Sequence, residues 1–190
     1  MRVIDLTQKL SLNVYAKELH VGTHVDAPAY VLKGQKTIDQ LGLQTFPTVA
    51  ALLDLTHKKP GEAIDDEDLE AAEEAAGLAL REGETVVLYT TIENESMATV
   101  PKPHVYLSKN AAEYLEFKRV GMVGIDAPSI DRLGGANYPA HVTLLSKGIL
   151  VLEGLCNLEK IDLPRFQLAA FPLRLNAPTS PVRAVAILED

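Results

Sequence analysis

A nine-residue stretch near the start of the chain, HVGTHVDAP at residues 20–28, places the strongest constraint on the fold. It brings two imidazoles and a carboxylate, those of His20, His24 and Asp26, close together in the sequence. Its glycine, its β-branched residues and its final proline all disfavour a helix, so we expect an extended or turn conformation. In an extended segment His24 and Asp26 point to the same side, and a kink at Gly22 can bring His20 to join them.

These side chains are of the kind that binds a divalent metal ion. Imidazole nitrogens and carboxylate oxygens suit Zn²⁺ and Mn²⁺, and a site without a thiolate is more often catalytic than structural. The alternative is that His20, His24 and Asp26 are ordinary polar loop residues. Histidine and aspartate rarely cluster so tightly without a partner that satisfies them, which favours the metal site.

The pattern His20-x-Gly-Thr-His24-x-Asp26-x-Pro28 resembles the signature of the cyclase-like metal-dependent hydrolase family, which includes bacterial kynurenine formamidases (arylformamidases) and isatin hydrolases. The resemblance continues along the chain through VIDLT at residues 3–7, VGIDAPSID at 123–131, His141 with Glu153 twelve residues later, and PVRAVA at 181–186. It therefore covers nearly the whole sequence.

The resemblance implies that His20, His24 and Asp26 are metal ligands, with Asp26 able to bridge to a second metal ion held by His141 and Glu153. It implies one or two divalent ions, Zn or Mn, per chain, and hydrolysis of a small amide or cyclic amide by a metal-activated water. The predicted helix that begins near His141 and the strand that ends at Glu153 run in opposite directions, so both side chains can lie at one end of the sheet. If His141 is considered alone, the alternative to a metal ligand is a histidine that only hydrogen-bonds to the backbone. A carboxylate that follows an apolar strand, as Glu153 does, needs a partner.

Tyr30 departs from the family pattern, which carries another histidine at this position as the proton donor and acceptor. The ordinary pKa of tyrosine is near ~10, against ~6.5 for histidine, so tyrosine exchanges a proton less readily at neutral pH. We assign Tyr30 and Glu153 as catalytic residues, with Tyr30 able to donate a hydrogen bond to the substrate or to an oxyanion. The alternatives are that Tyr30 only lines the pocket, and that the protein is a weakened or inactive family member that binds a metal ion or a small molecule.

Three further residues could carry chemistry. His57 lies in the polar segment HKKP and should be exposed. His104, at the end of the long loop predicted from residue 91 onwards, could replace the missing base, although loop histidines are more often solvated. Cys156 has no CxxC partner and no adjacent histidine, so we expect a small buried apolar residue rather than a nucleophile.

The composition limits the partners and the location. At 190 residues we expect one domain, residues 1–190, and the net charge of −8 argues against nucleic acid and against an anionic membrane surface. No apolar run approaches the ~20 residues of a membrane span, and the chain does not begin like a signal peptide. The single cysteine fits a reducing compartment. We expect a cytoplasmic protein with a small-molecule substrate, and the resemblance adds a homodimer or homotetramer.

Apolar runs and helix signals alternate along the chain, which predicts a mixed α/β fold. Buried strands are predicted at residues 49–55, 85–90, 120–125 and 149–152, helices at 66–76, 109–117 and 139–147, and a closing antiparallel pair at 168–173 and 182–188. The resemblance implies the swivelling β/β/α fold.

Overall fold

The computed structural model describes residues 1–9, 21–90, 103–135 and 137–189. The strands in these ranges are β1 (Arg2–Asp5), β2 (His24–Asp26), β3 (Pro47–Asp54), β4 (Ala63–Ile64), β5 (Thr85–Tyr89), β6 (Tyr106–Leu107), β7 (Met122–Ile125), β8 (Leu150–Glu153), β9 (Arg165–Pro172) and β10 (Thr179–Leu188). The α-helices are α1 (Asp66–Ala75), α2 (Lys109–Phe117) and α3 (Pro139–Ser146). Within the described ranges, no helix has the length and apolar character that crossing a membrane requires.

The large sheet closes on itself. Strands β3, β5, β7 and β8 lie side by side and parallel. β9 pairs antiparallel with β3, and β10 pairs antiparallel with β9. β10 then pairs with β2, which pairs with β8 and completes the ring, while β1 lies along the same edge of β10 further on. β4 and β6 form a separate pair.

The two faces of the central strands meet two different apolar layers. On β5, Val87 points into the barrel interior, whereas Val86 and Leu88 point outward to the helices. On β8, Val151 faces the helices, whereas Leu150 and Leu152 face the barrel interior. Strands that are buried on both faces have continuous apolar sequences, which is why these runs could be identified. The opposite walls of the closed sheet form two layers, and the helices lie outside one of them. This arrangement confirms the predicted mixed α/β class and its β/β/α layering.

The helices begin where their start signals in the sequence predict, two at capping residues and one at a proline. Asp65 precedes α1 and forms a capping box with Asp68, and the Ser108 side chain accepts a hydrogen bond from the Ala111 amide at 3.1 Å at the start of α2. α3 begins at Pro139, as predicted. Of the loop predicted for residues 91–103, all but the last residue lies outside the described part of the chain.

A close contact between two glycines fixes β2 beside β8. A Cβ atom added to Gly154, whose φ is +67°, would lie 2.3 Å from the Gly22 carbonyl oxygen. The Thr23 hydroxyl donates to the Gly154 carbonyl at 2.6 Å, and the Gln8 amide donates to the Thr23 hydroxyl at 2.8 Å. This arrangement sets the register in which His24 lies directly opposite Glu153.

We expect Gly154→Ala to lower the free energy of unfolding by about 3 kcal/mol, because the overpacking adds to the penalty of a left-handed alanine. Gly148→Ala is the matched control. Gly148 has a similar φ of +78°, but a Cβ there would meet no described atom within 4 Å. The control should therefore lose only about 1 kcal/mol. Urea titrations of both variants measure the difference, and equal losses would contradict the close contact.

Glu73 of α1 connects this helix to α2. Its carboxylate accepts hydrogen bonds from the Leu80 amide at 2.9 Å, from the Tyr114 hydroxyl and from Lys118 Nζ at 3.2 Å. Burial raises the pKa of Glu73, but these hydrogen bonds outweigh it, and the pKa lies below its ordinary value. The ionised carboxylate therefore stabilises the fold.

Acid should remove this contribution. Because the folded-state pKa of Glu73 is depressed, the stabilisation is complete above the ordinary glutamate pKa of ~4.3 and is lost as the pH falls through the folded-state value. We expect Glu73→Gln to cost about 1–3 kcal/mol at neutral pH. Urea titrations over a series of acidic pH values should show this difference shrinking, with the exposed Glu70→Gln on the same helix as the control. A difference that does not change with pH would contradict the assignment.

Candidate metal centre

Four of the predicted site residues meet on the helix-facing side of the sheet. His24 and Asp26 lie on β2, Glu153 ends β8, and His141 lies in the first turn of α3. Asp26 is paired with Val151, whose side chain belongs to the core beneath the helices. His24 and Glu153 lie two residues from Asp26 and Val151 on their strands, so their side chains point to the same helix-facing side. All four side chains are at most 1% exposed.

The donor atoms of these four residues converge. Nε2 of His24 lies 3.1 Å from Oε2 of Glu153 and 3.8 Å from Oδ2 of Asp26. Nε2 of His141 lies 3.1 Å from Oε1 of Glu153 and 3.4 Å from Oδ2 of Asp26. Donors bound to one tetrahedral ion at ~2.0–2.2 Å are about 3.3–3.6 Å apart, which these distances bracket. His24, Asp26 and Glu153 each offer one donor atom within 4.8 Å of the others, and Nε2 of His141 lies beside both carboxylates. Imidazole nitrogens and carboxylate oxygens in this arrangement suit divalent metal ions.

Each imidazole is oriented by an oxygen atom outside this donor set. Nδ1 of His24 lies 2.7 Å from the Gly22 carbonyl oxygen, and Nδ1 of His141 lies 2.7 Å from Oδ2 of Asp131. Carbonyl and carboxylate oxygens only accept, so each Nδ1 carries a proton. In the neutral imidazole the Nε2 lone pair then points at the other donors.

Three carboxylates surround His141. Burial lowers the pKa of His141, but the charge of Glu153 and the hydrogen bonds with Asp131, Asp26 and Glu153 raise it well above its ordinary value. In the metal-free protein these carboxylates therefore favour the doubly protonated, positively charged form of His141. Its positive charge offsets part of the negative charge of the carboxylates.

No role was predicted for Asp131, although the structure places it against His141. The signal in the sequence was its place at the end of DAPSID, ten residues before His141. The amide of the preceding residue, Ile130, donates to Oε1 of Glu153 at 2.7 Å. This short segment thus contacts two of the four donor residues.

Two tyrosines contact the ring of His141. Tyr30, in the 3₁₀ helix Pro28–Tyr30 that follows β2, has its ring centroid 5.1 Å from that of His141 with the planes tilted by 50°. Tyr138, just before α3, lies edge-on at 6.1 Å. The structure thus places the predicted Tyr30 beside the donors, and it adds Tyr138, which no sequence pattern marked.

The remaining candidates lie elsewhere. His20 is outside the described residues. His104 is buried, so the expectation that a loop histidine is solvated is wrong; its Nε2 lies 3.0 Å from the Asp131 carbonyl oxygen, and its role as a replacement base stays a prediction. The side chain of His57 is 63% exposed, as expected. Cys156 is buried, as expected, and this burial raises the pKa of its thiol to about 11, which disfavours the reactive thiolate.

Sequence comparison relates this chain to known enzymes. A sequence model of the Cyclase family matches residues 4–132. The kynurenine formamidase of Salinibacter ruber is 33% identical over 167 residues, which are 87% of this chain and 74% of that enzyme. The kynurenine formamidase of Geobacillus thermodenitrificans is 34% identical over 166 residues, with the same two coverages of 87% and 74%.

Solved structures share the whole architecture. A structure described as a potential metal-dependent hydrolase with cyclase activity superposes with a TM-score of 0.80 at 27% identity, covering 97% of this chain and 96% of that one. An isatin hydrolase bound to the product analogue thioisatinate has a TM-score of 0.84 at 23% identity, covering 100% of this chain and 93% of that one, and shows the common fold. With its family match over well over half of its length and relatives this similar, the chain belongs to the Cyclase family.

Proposed function

We propose that this protein is a metal-dependent hydrolase of a small amide or cyclic amide, with an N-formylkynurenine-type formamide as a candidate substrate. The observation that carries the proposal is the buried convergence of two imidazoles and two carboxylates in a member of the Cyclase family. Relatives named kynurenine formamidase support the amide substrate and a place in tryptophan catabolism. The similar structure described as a potential metal-dependent hydrolase supports the need for a metal ion.

Zn²⁺ or Mn²⁺, one or two ions per chain, is the proposed cofactor. Its ligands would be His24, Asp26, His141 and Glu153, with His20 as a further ligand. Nitrogen and oxygen donors suit both ions. A bound divalent ion supplies a Lewis acid that polarises an amide carbonyl and lowers the pKa of water towards neutrality.

The side chains of the protein prepare the site for this chemistry. The Gly22 carbonyl and the Asp131 carboxylate hold the Nδ1 protons of the two histidines, which leaves the Nε2 atoms to bind. Asp26 and Glu153 supply the negative charge that a divalent cation neutralises. Because all these groups are buried, bulk water is excluded and their electrostatic interactions are strong.

Tyr30 is the proposed substrate-facing group. Its ring lies 5.1 Å from that of His141, close enough for its phenol to donate a hydrogen bond to an amide oxygen at the site. A phenol with a pKa near ~10 exchanges protons slowly at neutral pH, however. The presence of Tyr30 in place of a histidine therefore favours a second candidate function, that of a protein that binds a metal ion or a small molecule with little turnover.

We expect Asp26→Asn to weaken metal binding by more than roughly 100-fold, because the substitution removes a charged ligand from a buried site. The rise in melting temperature on adding Zn²⁺ or Mn²⁺ should disappear with it, since a ligand that binds only the folded state stabilises by mass action. Competition with a metal-sensitive dye measures the affinity, and calorimetry measures the melting temperature.

Glu73→Gln is the matched control for this measurement. It also neutralises a buried carboxylate, but one on α1 that hydrogen-bonds to α2. The control should be less stable and should bind the metal ion as the wild type does. An Asp26→Asn protein that keeps its affinity would contradict the ligand assignment.

Tyr30→His tests whether the protein lacks only a proton shuttle. We expect kcat/KM for N-formylkynurenine to rise at least about tenfold, because histidine exchanges protons at neutral pH. Tyr138→His places an imidazole at the other tyrosine that contacts His141 and should give no rise. A metal-loaded Tyr30→His protein without any gain in rate would favour the binding protein over the hydrolase.

We also propose that the substrate is a small molecule, that the protein assembles as a homodimer or homotetramer, and that it is a cytoplasmic enzyme. Sedimentation of the metal-loaded protein tests the assembly.

A further inference from the structure

The carboxylate of Asp131 makes three hydrogen bonds to the first turn of α3. Oδ1 accepts from the Ala140 amide at 2.9 Å. Oδ2 accepts from the His141 amide at 3.0 Å and from His141 Nδ1 at 2.7 Å. Asp131 is 2% exposed, so water does not compete for these bonds. One carboxylate thus holds both the backbone and the side chain of a candidate ligand.

The backbone before α3 shows why this helix depends on Asp131. Its N-cap residue, Tyr138, has a left-handed φ of 42° and makes no side-chain capping bond, and Asn137 before it is also left-handed at 71°. Such a conformation is costly for tyrosine, more so before a proline, and persists only where surrounding contacts impose it. Asp131, from a different segment, supplies the acceptors that a capping residue would otherwise provide.

Asp131 is itself held in place. His104 Nε2 donates to its carbonyl oxygen at 3.0 Å, and its own amide donates to the Ser129 hydroxyl at 3.3 Å. The neighbouring Ile130 amide binds Glu153. The segment therefore sets the relative position of two donor residues that come from a helix and a strand.

We propose that Asp131 is a positioning residue that fixes the tautomer and the ring orientation of His141, so that α3 presents Nε2 of His141 to the metal ion. The inference rests on the proposed function only in taking His141 as a ligand. The partner of His24 Nδ1 is a neutral backbone carbonyl, whereas the partner of His141 Nδ1 is a carboxylate. The two imidazoles of the site are therefore not equivalent.

The test compares wild type and Asp131→Asn. The asparagine keeps the size of the side chain but loses its charge, and its amino group cannot accept from the amides or from Nδ1. We expect the affinity for Zn²⁺, measured by competition with a metal-sensitive dye, to fall by roughly 10- to 100-fold. The visible absorption spectrum of the Co²⁺-loaded protein should also shift, because the orientation and basicity of one ligand change.

Ser108→Ala is the matched control, since it removes the capping acceptor of the neighbouring helix α2 without touching His141. It should lower the melting temperature of the metal-free protein and leave the Zn²⁺ affinity and the Co²⁺ spectrum unchanged. A merely structural role of Asp131 would give Asp131→Asn this same result.

A measurement on the wild type covers the case in which Asp131→Asn does not fold. In ¹⁵N-labelled, Zn²⁺-loaded protein, His141, assigned with His141→Gln, should have a protonated and strongly hydrogen-bonded Nδ1. An unprotonated Nδ1, or equal Zn²⁺ affinities of wild type and Asp131→Asn, would overturn the inference alone. Wild type that takes up no metal ion would instead overturn the proposed function, and this inference with it.

Discussion

The pairing of β2 with β8 is the constraint on which the rest of the structure depends. It places His24 opposite Glu153, with Asp26 on the same face, and so concentrates charge in the interior. Buried carboxylates destabilise a fold unless cations or hydrogen bonds compensate them. His141 from α3 supplies part of that compensation, and a divalent cation would supply the rest. A bound cation would therefore allow the fold to tolerate this arrangement, and the same charges would set the chemistry of that cation.

Much of the fold and of the candidate site could be predicted from short-range patterns in the sequence. The apolar run at residues 85–90 predicted a strand buried on both faces, and β5 is one. The two-residue spacing of His24 and Asp26 predicted a common face, because side chains alternate along a strand. Glu153 and His141 could be brought together since an apolar strand and a helix, each with a clear end, run in opposite directions between them.

The contacts that could not be predicted join segments distant in sequence. Asp131 meets His141 only because the chain turns back before α3 through two left-handed residues that no pattern marks. His104 looked like a solvated loop residue, yet tertiary packing buries it against the backbone of Asp131. Gly154 follows a strand, where a turn glycine is ordinary, and only the close approach of Gly22 shows that a side chain is excluded there. These contacts depend on which surfaces of the folded chain meet. The propensities of single segments carry no information about which surfaces meet.

The most direct test of the central claim is anomalous diffraction from crystals of the zinc-loaded protein, recorded on either side of the zinc absorption edge. An anomalous peak is expected within about 2.0–2.3 Å of Nε2 of His24 and of oxygen atoms of Asp26 and Glu153, with Nε2 of His141 bound to the same ion or to a second one. Such a peak would establish that the buried charges form a metal centre. Zinc bound only elsewhere on the protein, with these four side chains arranged as they are without it, would contradict the account.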